Sequence, residues 1–446
     1  MTNSQLSELL DFLRFPSVSA QSAHAPDMKN CAAWLVKKLT RAGLDACEMA
    51  TPGYPVVLAK TPRDPAKRTV LIYGHYDVQP AEPLELWTTP PFDPQIRDGR
   101  IFARGSTDNK GQIFSHILGV EEALKAGPLP VNVIFLIEGE EEVGSDHLRA
   151  FLEAHREELA CDVIAISDTG MAADGHPTLS YALRGIAAME VTVNGPSHDL
   201  HSGVYGGAVA NPATAAARLV ASLHDDEGRV QIEGFYDDVR DLAAWERDAA
   251  EEAPVRDSDI AEQAGVAELF GEPGFSALER IGGRPTAEIN GIGGGYQGEG
   301  SKTVLPAKAF FKVTFRLVPD QKPAAILALA EAHFRRHCPP GVTLRIERGH
   351  GGDPYFADPN SADGLAARRA LETVFGKKPS LLREGGSIPI LADFREILGR
   401  DSLLLALASP DCRAHAPDEN FPLANFEAGI RLSQALLAEL ARVTPQ

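Results

Sequence analysis

The apolar positions of this chain fall into two alternating patterns, short unbroken runs and longer stretches with helical spacing. Val70-Leu71-Ile72-Tyr73 is the densest run. Four bulky residues in succession suit a strand covered on both faces of a sheet, and Gly74 lets the chain bend so that His75 emerges at the strand's carboxyl end, with Asp77 two residues on. Runs of the same kind recur at Val131 to Ile137, Val163 to Asp168 and Leu403-Leu404-Leu405, and Val56 to Ala59 reads as a shorter strand beside the first. Between them, Leu6, Leu9, Leu10 and Leu13, then Ala32, Trp34, Leu35 and Leu39, then Ile113, Ile117, Val120 and Leu124, then Leu148, Phe151 and Leu152 recur at helical spacing. Strand, helix, strand, helix, strand predicts an α/β fold: a mostly parallel sheet sandwiched by helices.

From Arg184 the pattern changes. Ala187 to Val193 alternates like a half-exposed strand, and a helix with Ala213, Ala216, Leu219 and Leu223 follows. The stretch 240–265 is rich in Ala and acids and reads as exposed helix and loop. Phe311, Val313 and Phe315 then interleave with Phe310, Lys312, Thr314 and Arg316 as a second alternating strand, ahead of a helix from Ala324 to Cys338 and a strand at Val342 to Ile346. This predicts an α+β layer at 183–351 inserted into a first domain made of 1–182 and 352–446. The parallel pattern resumes near Asp363, with helices to Phe375, from Pro389 to Leu398 and from Asn425 to Leu440.

Composition narrows the class of function. At 446 residues, 44% hydrophobic and 24% charged, the chain has room for more than one ordinary globular domain. Its net charge of −19, with no Lys/Arg stripe that could follow a phosphate backbone, argues against nucleic acid as a partner. Part of the acidity, Glu138, Glu140, Glu141 and Glu142, ends an apolar run, where a metal cation explains it better than solvation. Five scattered cysteines without a Cys-x-x-Cys indicate neither a disulfide framework nor a structural zinc site, and fit a reducing, cytoplasmic setting. No basic start followed by an apolar core marks an export signal, and no apolar run approaches the roughly 18 residues of a membrane helix.

Five potential ligands stand at strand ends or loops of the interrupted domain: His75, Asp108, Glu142, Asp168 and His415. Singly they read as a helix cap (Asp108), a solvated strand end (Asp168) or a loop histidine (His415). Jointly, two imidazoles with three carboxylates fit two divalent ions of the zinc or manganese type, one carboxylate bridging, rather than the all-oxygen shell of calcium. Asp77 is placed to hold the second nitrogen of His75. Glu141 beside Glu142 lets adjacent carboxylates divide labour, one on metal and one on the water that the metal acidifies, which points to hydrolysis.

Gly-His-Tyr-Asp-Val-Gln-Pro (74–80), Thr-Asp-Asn-Lys-Gly (107–111), Glu-Glu-Val-Gly-Ser (141–145) and Leu-His-Ser-Gly-Val-Tyr-Gly-Gly (200–207) resemble the signatures of the aminoacylase/carnosinase metallopeptidase family, over about Leu6 to Leu440. Ser-Lys-Thr-Val-Leu-Pro (301–306), Phe-Arg-Leu-Val-Pro (315–319) and Arg-Glu-Gly-Gly-Ser-Ile-Pro (383–389) make it most similar to the cytosolic non-specific dipeptidases and carnosinases. The resemblance implies a zinc-exopeptidase-like catalytic domain and an inserted lid that also dimerises. It implies that Asp108 bridges two metals, that His75 and Asp168 complete one site and Glu142 and His415 the other, that Asp77 orients His75, and that Glu141 is the general base. It further implies a cis Asp108-Asn109 bond, an oxyanion contact from His201 of the neighbouring subunit in a homodimer, and a substrate carboxylate held by Arg316 with Thr303, His350, Gly386 and Ser387. The loop from Ser409 to Asn420, which carries His415, follows the family pattern less closely than the rest.

The expected activity is therefore hydrolysis of dipeptides with a free terminal carboxylate. Removal of an acyl group from an amino acid on the same metals is the nearest alternative. A non-catalytic binding protein on this fold is the alternative from another class, against which the presence of Glu141 argues.

Overall fold

The strand Thr69–His75 is buried at every position, and alternate residues explain why its apolar run is unbroken. Val70 and Ile72 pack into one core while Leu71 and Tyr73 pack into another on the opposite face. In this computed structural model, which describes residues 2–444, that strand sits near the middle of a nine-stranded sheet. Asn132–Glu138 and Val163–Ile166 flank it, both parallel to it, and Ser402–Leu405 extends the parallel block. The margins are antiparallel: Asp45–Met49 and Val56–Lys60 on one side, Thr178–Leu183 with Tyr355–Phe356 on the other, where Ser380–Glu384 also pairs in parallel with Thr178–Leu183.

Helices cover both faces. Ala25–Arg41, Lys110–Ala126, Ala362–Phe375 and Leu423–Leu440 supply Leu35, Phe114, Leu371 and Leu436 to the first core, and Leu148–Ala154 with Ile390–Asp393 supply Phe151, Leu152 and Leu391 to the second. Each such side chain contributes roughly 1.5–3 kcal/mol on burial. Lys110–Ala126 and Leu423–Leu440 cross closely, because a Cβ on Gly119 would stand 2.6 Å from the Ile430 carbonyl oxygen. That approach anchors the helix that follows Asp108.

The second sheet has four strands, ordered Thr286–Gly294, Lys308–Leu317, Gly185–Asn194 and Thr343–Gly352, all antiparallel to their neighbours. Its inner positions, Val191, Val313 and Phe315 among them, pack under the helices Pro212–Ala221 and Pro323–His337. Arg316, Ile186 and Thr286 share the opposite face. The strand Thr286–Gly294 is hidden in the sequence because Gly291, Gly293 and Gly294 break the apolar alternation, and its register shifts at Ile289/Gly291. Thr178–Leu183 and Ser380–Glu384 are likewise additions, Thr343–Gly352 runs six residues beyond the predicted Ile346, and the helix expected from Pro389 to Leu398 is a short α-turn followed by a π-turn at Phe394–Leu398. The Ala- and acid-rich stretch forms the helices Ala244–Glu252 and Asp257–Ala264. All five cysteines are free, and among the described residues no helix is long and apolar enough to cross a membrane.

Candidate active site

The carboxyl ends of the parallel strands deliver the site, as open α/β sheets do. His75 is the last residue of its strand and its ring is fully buried. Its Nδ1 lies 3.1 Å from the Asp77 carbonyl and 3.3 Å from Asp77 Oδ1. The Asp77 carboxylate also accepts the backbone N–H groups of Glu141 at 3.3 Å and Glu142 at 3.1 Å. One acid thus holds both the His75 ring and the loop that follows the neighbouring strand.

Asp108 ends the loop ahead of Lys110–Ala126, and its peptide bond to Asn109 is cis, as the resemblance implies. Its carboxylate stands between two imidazoles, Oδ1 3.1 Å from His75 Nε2 and Oδ2 2.8 Å from His415 Nε2. Asp168, two residues beyond its strand, places Oδ2 3.8 Å from His75 Nε2 and accepts Asn109 Nδ2 on Oδ1 at 2.7 Å. Glu142 Oε2 lies 3.3 Å from His415 Nε2 and accepts Gln79 Nε2 at 2.8 Å. Two ligand groups result, His75/Asp108/Asp168 and Asp108/Glu142/His415, each with ligand atoms within 4.8 Å of one another and sharing Asp108.

The residues fit a pair of cations. His75 Nε2 and Glu142 Oε1 are buried without any hydrogen-bond partner, an arrangement that costs 1–3 kcal/mol or more per group unless an ion engages them. The electrostatics agree. Burial would lower the His75 pKa, but Asp108, Asp168 and Asp77 outweigh it and raise it, while Asp108 and Glu142 push His415 up to about 10. Protons here stand in for the positive charge that five clustered ligands demand. Burial pushes the Glu141 carboxyl well up, with Asp168, Asp108 and Glu142 adding to it and His75 opposing. A carboxylate so placed is a stronger base than an exposed one.

The His415 loop is held in an unusual conformation, with Arg413, His415 and Asp418 at φ of 55°, 60° and 60°. Such left-handed backbone costs of order 1–3 kcal/mol per non-glycine residue and persists where surrounding bonds enforce it. Here Asp418 accepts the Thr88 N–H at 2.9 Å and its hydroxyl at 2.7 Å. Glu419, which nothing in the sequence singles out, braces the loop that carries Asp108. Fully buried, it accepts Arg104 Nη1 at 2.7 Å and the backbone N–H groups of Gly105, Thr107 and Asp108 at 2.9, 2.9 and 3.0 Å. Gln79 and Asn109, both inside the quoted motifs, likewise brace Glu142 and Asp168 by hydrogen bonds.

The remaining expected residues fall into two further groups. Arg316 Nη1 donates to Ser387 Oγ at 3.1 Å, beside Gly386, where an added Cβ would meet nothing within 4 Å. His201 and Thr303 adjoin in a two-stranded ribbon, in which His201 pairs with Val304 and Ser202 N–H donates to the Thr303 carbonyl at 3.0 Å. Both are exposed, and among the described residues no hydrogen bond or ion pair joins His201 to the carboxylates of its own chain; its Nδ1 accepts the Gly203 N–H at 3.0 Å. His350 stands exposed on Thr343–Gly352.

Known proteins resemble this chain over most of its length. The Cys-Gly metallodipeptidase dug1 of Schizosaccharomyces pombe is 34% identical over 96% of this chain and 94% of its own, and the human Beta-Ala-His dipeptidase is 32% identical over 87% and 78%. Among solved structures, the M20 family metallo-carboxypeptidase Sso-CP2 of Sulfolobus solfataricus superposes with a TM-score of 0.87 at 32% identity, covering 99% of this chain and 100% of that one. The model of peptidase family M20/M25/M40 matches residues 71–439, a span that includes all five ligand residues, and the chain belongs to that family.

Proposed function

We propose that the chain is a metallodipeptidase that hydrolyses dipeptides bearing a free terminal carboxylate. The observation that carries the reading is Asp108 held between His75 and His415, each imidazole backed by a separate acid, with Glu141 engaged by that cluster only electrostatically. Two divalent ions, zinc or manganese, would be held by His75, Asp108 and Asp168 and by Asp108, Glu142 and His415, and when bound would polarise the scissile carbonyl and make water acidic near neutral pH. Glu141 takes the proton of the attacking water and passes it to the leaving amine. Arg316 holds the terminal carboxylate through its planar fork, with Ser387, Gly386, Thr303 and His350 completing that subsite. His201 of the partner subunit in a homodimer donates to the developing oxyanion.

On this reading 1–182 with 352–446 is the catalytic domain, and 183–351 the lid and dimerisation domain. Every strand of the four-stranded sheet lies between Gly185 and Gly352, and every ligand lies outside that span. The names of the dipeptidase relatives support the peptide substrate over an acyl-amino acid. Turnover of a dipeptide panel against N-acetylated amino acids, with zinc, with manganese and after chelation, tests it. Metal-dependent cleavage of dipeptides is expected, and cleavage confined to the acylated amino acids would overturn it.

A further inference from the structure

Arg316 is not the only guanidinium at its end of the sheet. Arg184, in the turn between Thr178–Leu183 and Gly185–Asn194, donates Nε to the Gly385 carbonyl at 3.2 Å, and its own carbonyl accepts Ser387 Oγ at 2.5 Å. The same Ser387 Oγ accepts Arg316 Nη1, so one serine links the Arg316 guanidinium to the main chain of Arg184, and both arginines are half-buried. Among the described residues no carboxylate comes within 4.0 Å of either guanidinium. Burial and the nearby Arg316 push Arg184 down to about 10, with Glu288 only partly offsetting them. Positive charges in a partly desolvated place with no carboxylate in ion-pair range call for anions. The terminal carboxylate of a dipeptide answers Arg316 and leaves Arg184 unmatched.

Arg184 opens onto a cavity of about 380 Å³. Thr286, the cross-strand neighbour of Arg316, lines it with a buried hydroxyl that has no hydrogen-bond partner. Phe270 and Ile281 line another side and are 77% and 40% exposed, an open apolar surface. Of the acids on the wall, Glu272 is neutralised by Arg284 at 2.7 Å and Arg229 at 2.8 Å, and Glu288 is exposed, paired across the sheet with Thr314. Arg280 adds a further positive charge, 3.8 Å from Asp257. The cavity is also tied to the metal ligands: the Arg184 N–H donates to the Glu384 carbonyl at 3.2 Å, and the Glu384 side chain is hydrogen-bonded to Ser180 and Thr169, the latter next to Asp168.

We propose that this cavity receives the side chain of the C-terminal residue of the dipeptide and selects an acidic one, with Arg184 as its counter-charge and the Thr286 hydroxyl as a donor. The inference rests on Arg316 anchoring the terminal carboxylate, which points the neighbouring side chain toward Arg184. Phe270 and Ile281 pack on the methylenes of that side chain.

The test is the ratio of kcat/KM for Ala-Glu to that for Ala-Gln, which differ only in the charge. The native enzyme is expected to favour Ala-Glu about tenfold, in keeping with one partly desolvated ion pair. Arg184→Met should bring the ratio to about one whatever it does to the absolute rates, and Arg184→Lys should keep part of it. A native ratio near one, or an Arg184→Met enzyme that keeps the native ratio, overturns the inference. The C-terminal amide of Ala-Gln separates the two readings. If the amide is cleaved as fast as the acid, the Arg316 anchor fails and this inference with it; if the amide resists while the ratio is one, only this inference fails.

Discussion

The carboxylate of Glu419 accepts the backbone N–H of Asp108 at 3.0 Å, although the two residues lie more than three hundred positions apart in the chain. With Arg104 on the same carboxylate, both partners of that ion pair are buried. The bond fixes the loop that presents Asp108, and it joins an early segment of the chain to a late one. Glu419→Gln should therefore cost about 3–5 kcal/mol, because it leaves the Arg104 charge buried without its partner. It should also weaken metal binding, which a structural role elsewhere would not do. Urea unfolding with metal titration measures both. A double variant, Arg104→Met with Glu419→Gln, should recover part of the stability and none of the metal affinity.

Glu141→Gln is expected to keep its metals and lose about 10²- to 10⁴-fold in kcat, whereas Glu142→Ala loses metal, since the first carboxylate serves water and the second serves the ion. Metal content measured beside the rates decides between them. Equal metal loss in the two variants would falsify the division.

Arg316→Ala should raise KM and lower kcat/KM for dipeptides by roughly 10²-fold or more, the several kcal/mol expected when a desolvated carboxylate loses its partner. Lysine should rescue poorly, because it lacks the fork. The check is cleavage of a dipeptide against its C-terminal amide, with the free acid strongly preferred by the native enzyme and barely by the variant.

What could be read from the sequence, and what could not, follows from how far each residue's partners lie. The central strand was legible because Val70 to Tyr73 feed two cores in alternation, which leaves an unbroken apolar run in the chain. His75, Glu142 and Asp168 were legible as candidate ligands because they stand at or shortly past the ends of buried strands, where polar residues interrupt such runs, and Asp108 because it stands just ahead of a helix. Glu419 was not, since its bonding is mostly to backbone N–H groups that carry no sequence pattern. Thr286–Gly294 was not, since its glycines erase the alternation that marked its neighbour Lys308–Leu317. Arg184 reads as an ordinary turn charge until the fold brings Ser387 and Arg316 to it.

His116 offers a pH test. Its ring is buried with Nε2 2.8 Å from Ser167 Oγ and Nδ1 unpartnered, and burial pushes its pKa down to about 4. Between about pH 6.5 and 4 the unfolded chain binds a proton that the folded chain refuses, so stability falls as the pH falls through that window, by up to about 3 kcal/mol from this group. Above about pH 6.5 the group contributes no slope. Unfolding free energies of the native protein and His116→Leu, each measured from pH 4 to 8, should differ in slope only below that point. Parallel curves would remove His116 from the account.

The last expectation concerns His201, which is exposed, accepts the Gly203 N–H on Nδ1, and is followed by Val204 and Tyr205 that are 68% and 43% exposed. An exposed histidine that, among the described residues, makes no bond to the carboxylates of its own chain, beside exposed apolar side chains, suits a residue used by a partner subunit. Its variant His201→Ala and Glu141→Ala should each be inactive alone. Unfolded and refolded together in equal amounts, they give mixed dimers in about half of the population if pairing is random. In a mixed dimer, the subunit carrying His201→Ala still has Glu141 and receives His201 from its partner, so one site in two is complete and about a quarter of native activity returns. If His201 served its own subunit, every site in every dimer would still lack one group. Mixed dimers shown to be present, with no activity, would therefore exclude the shared site.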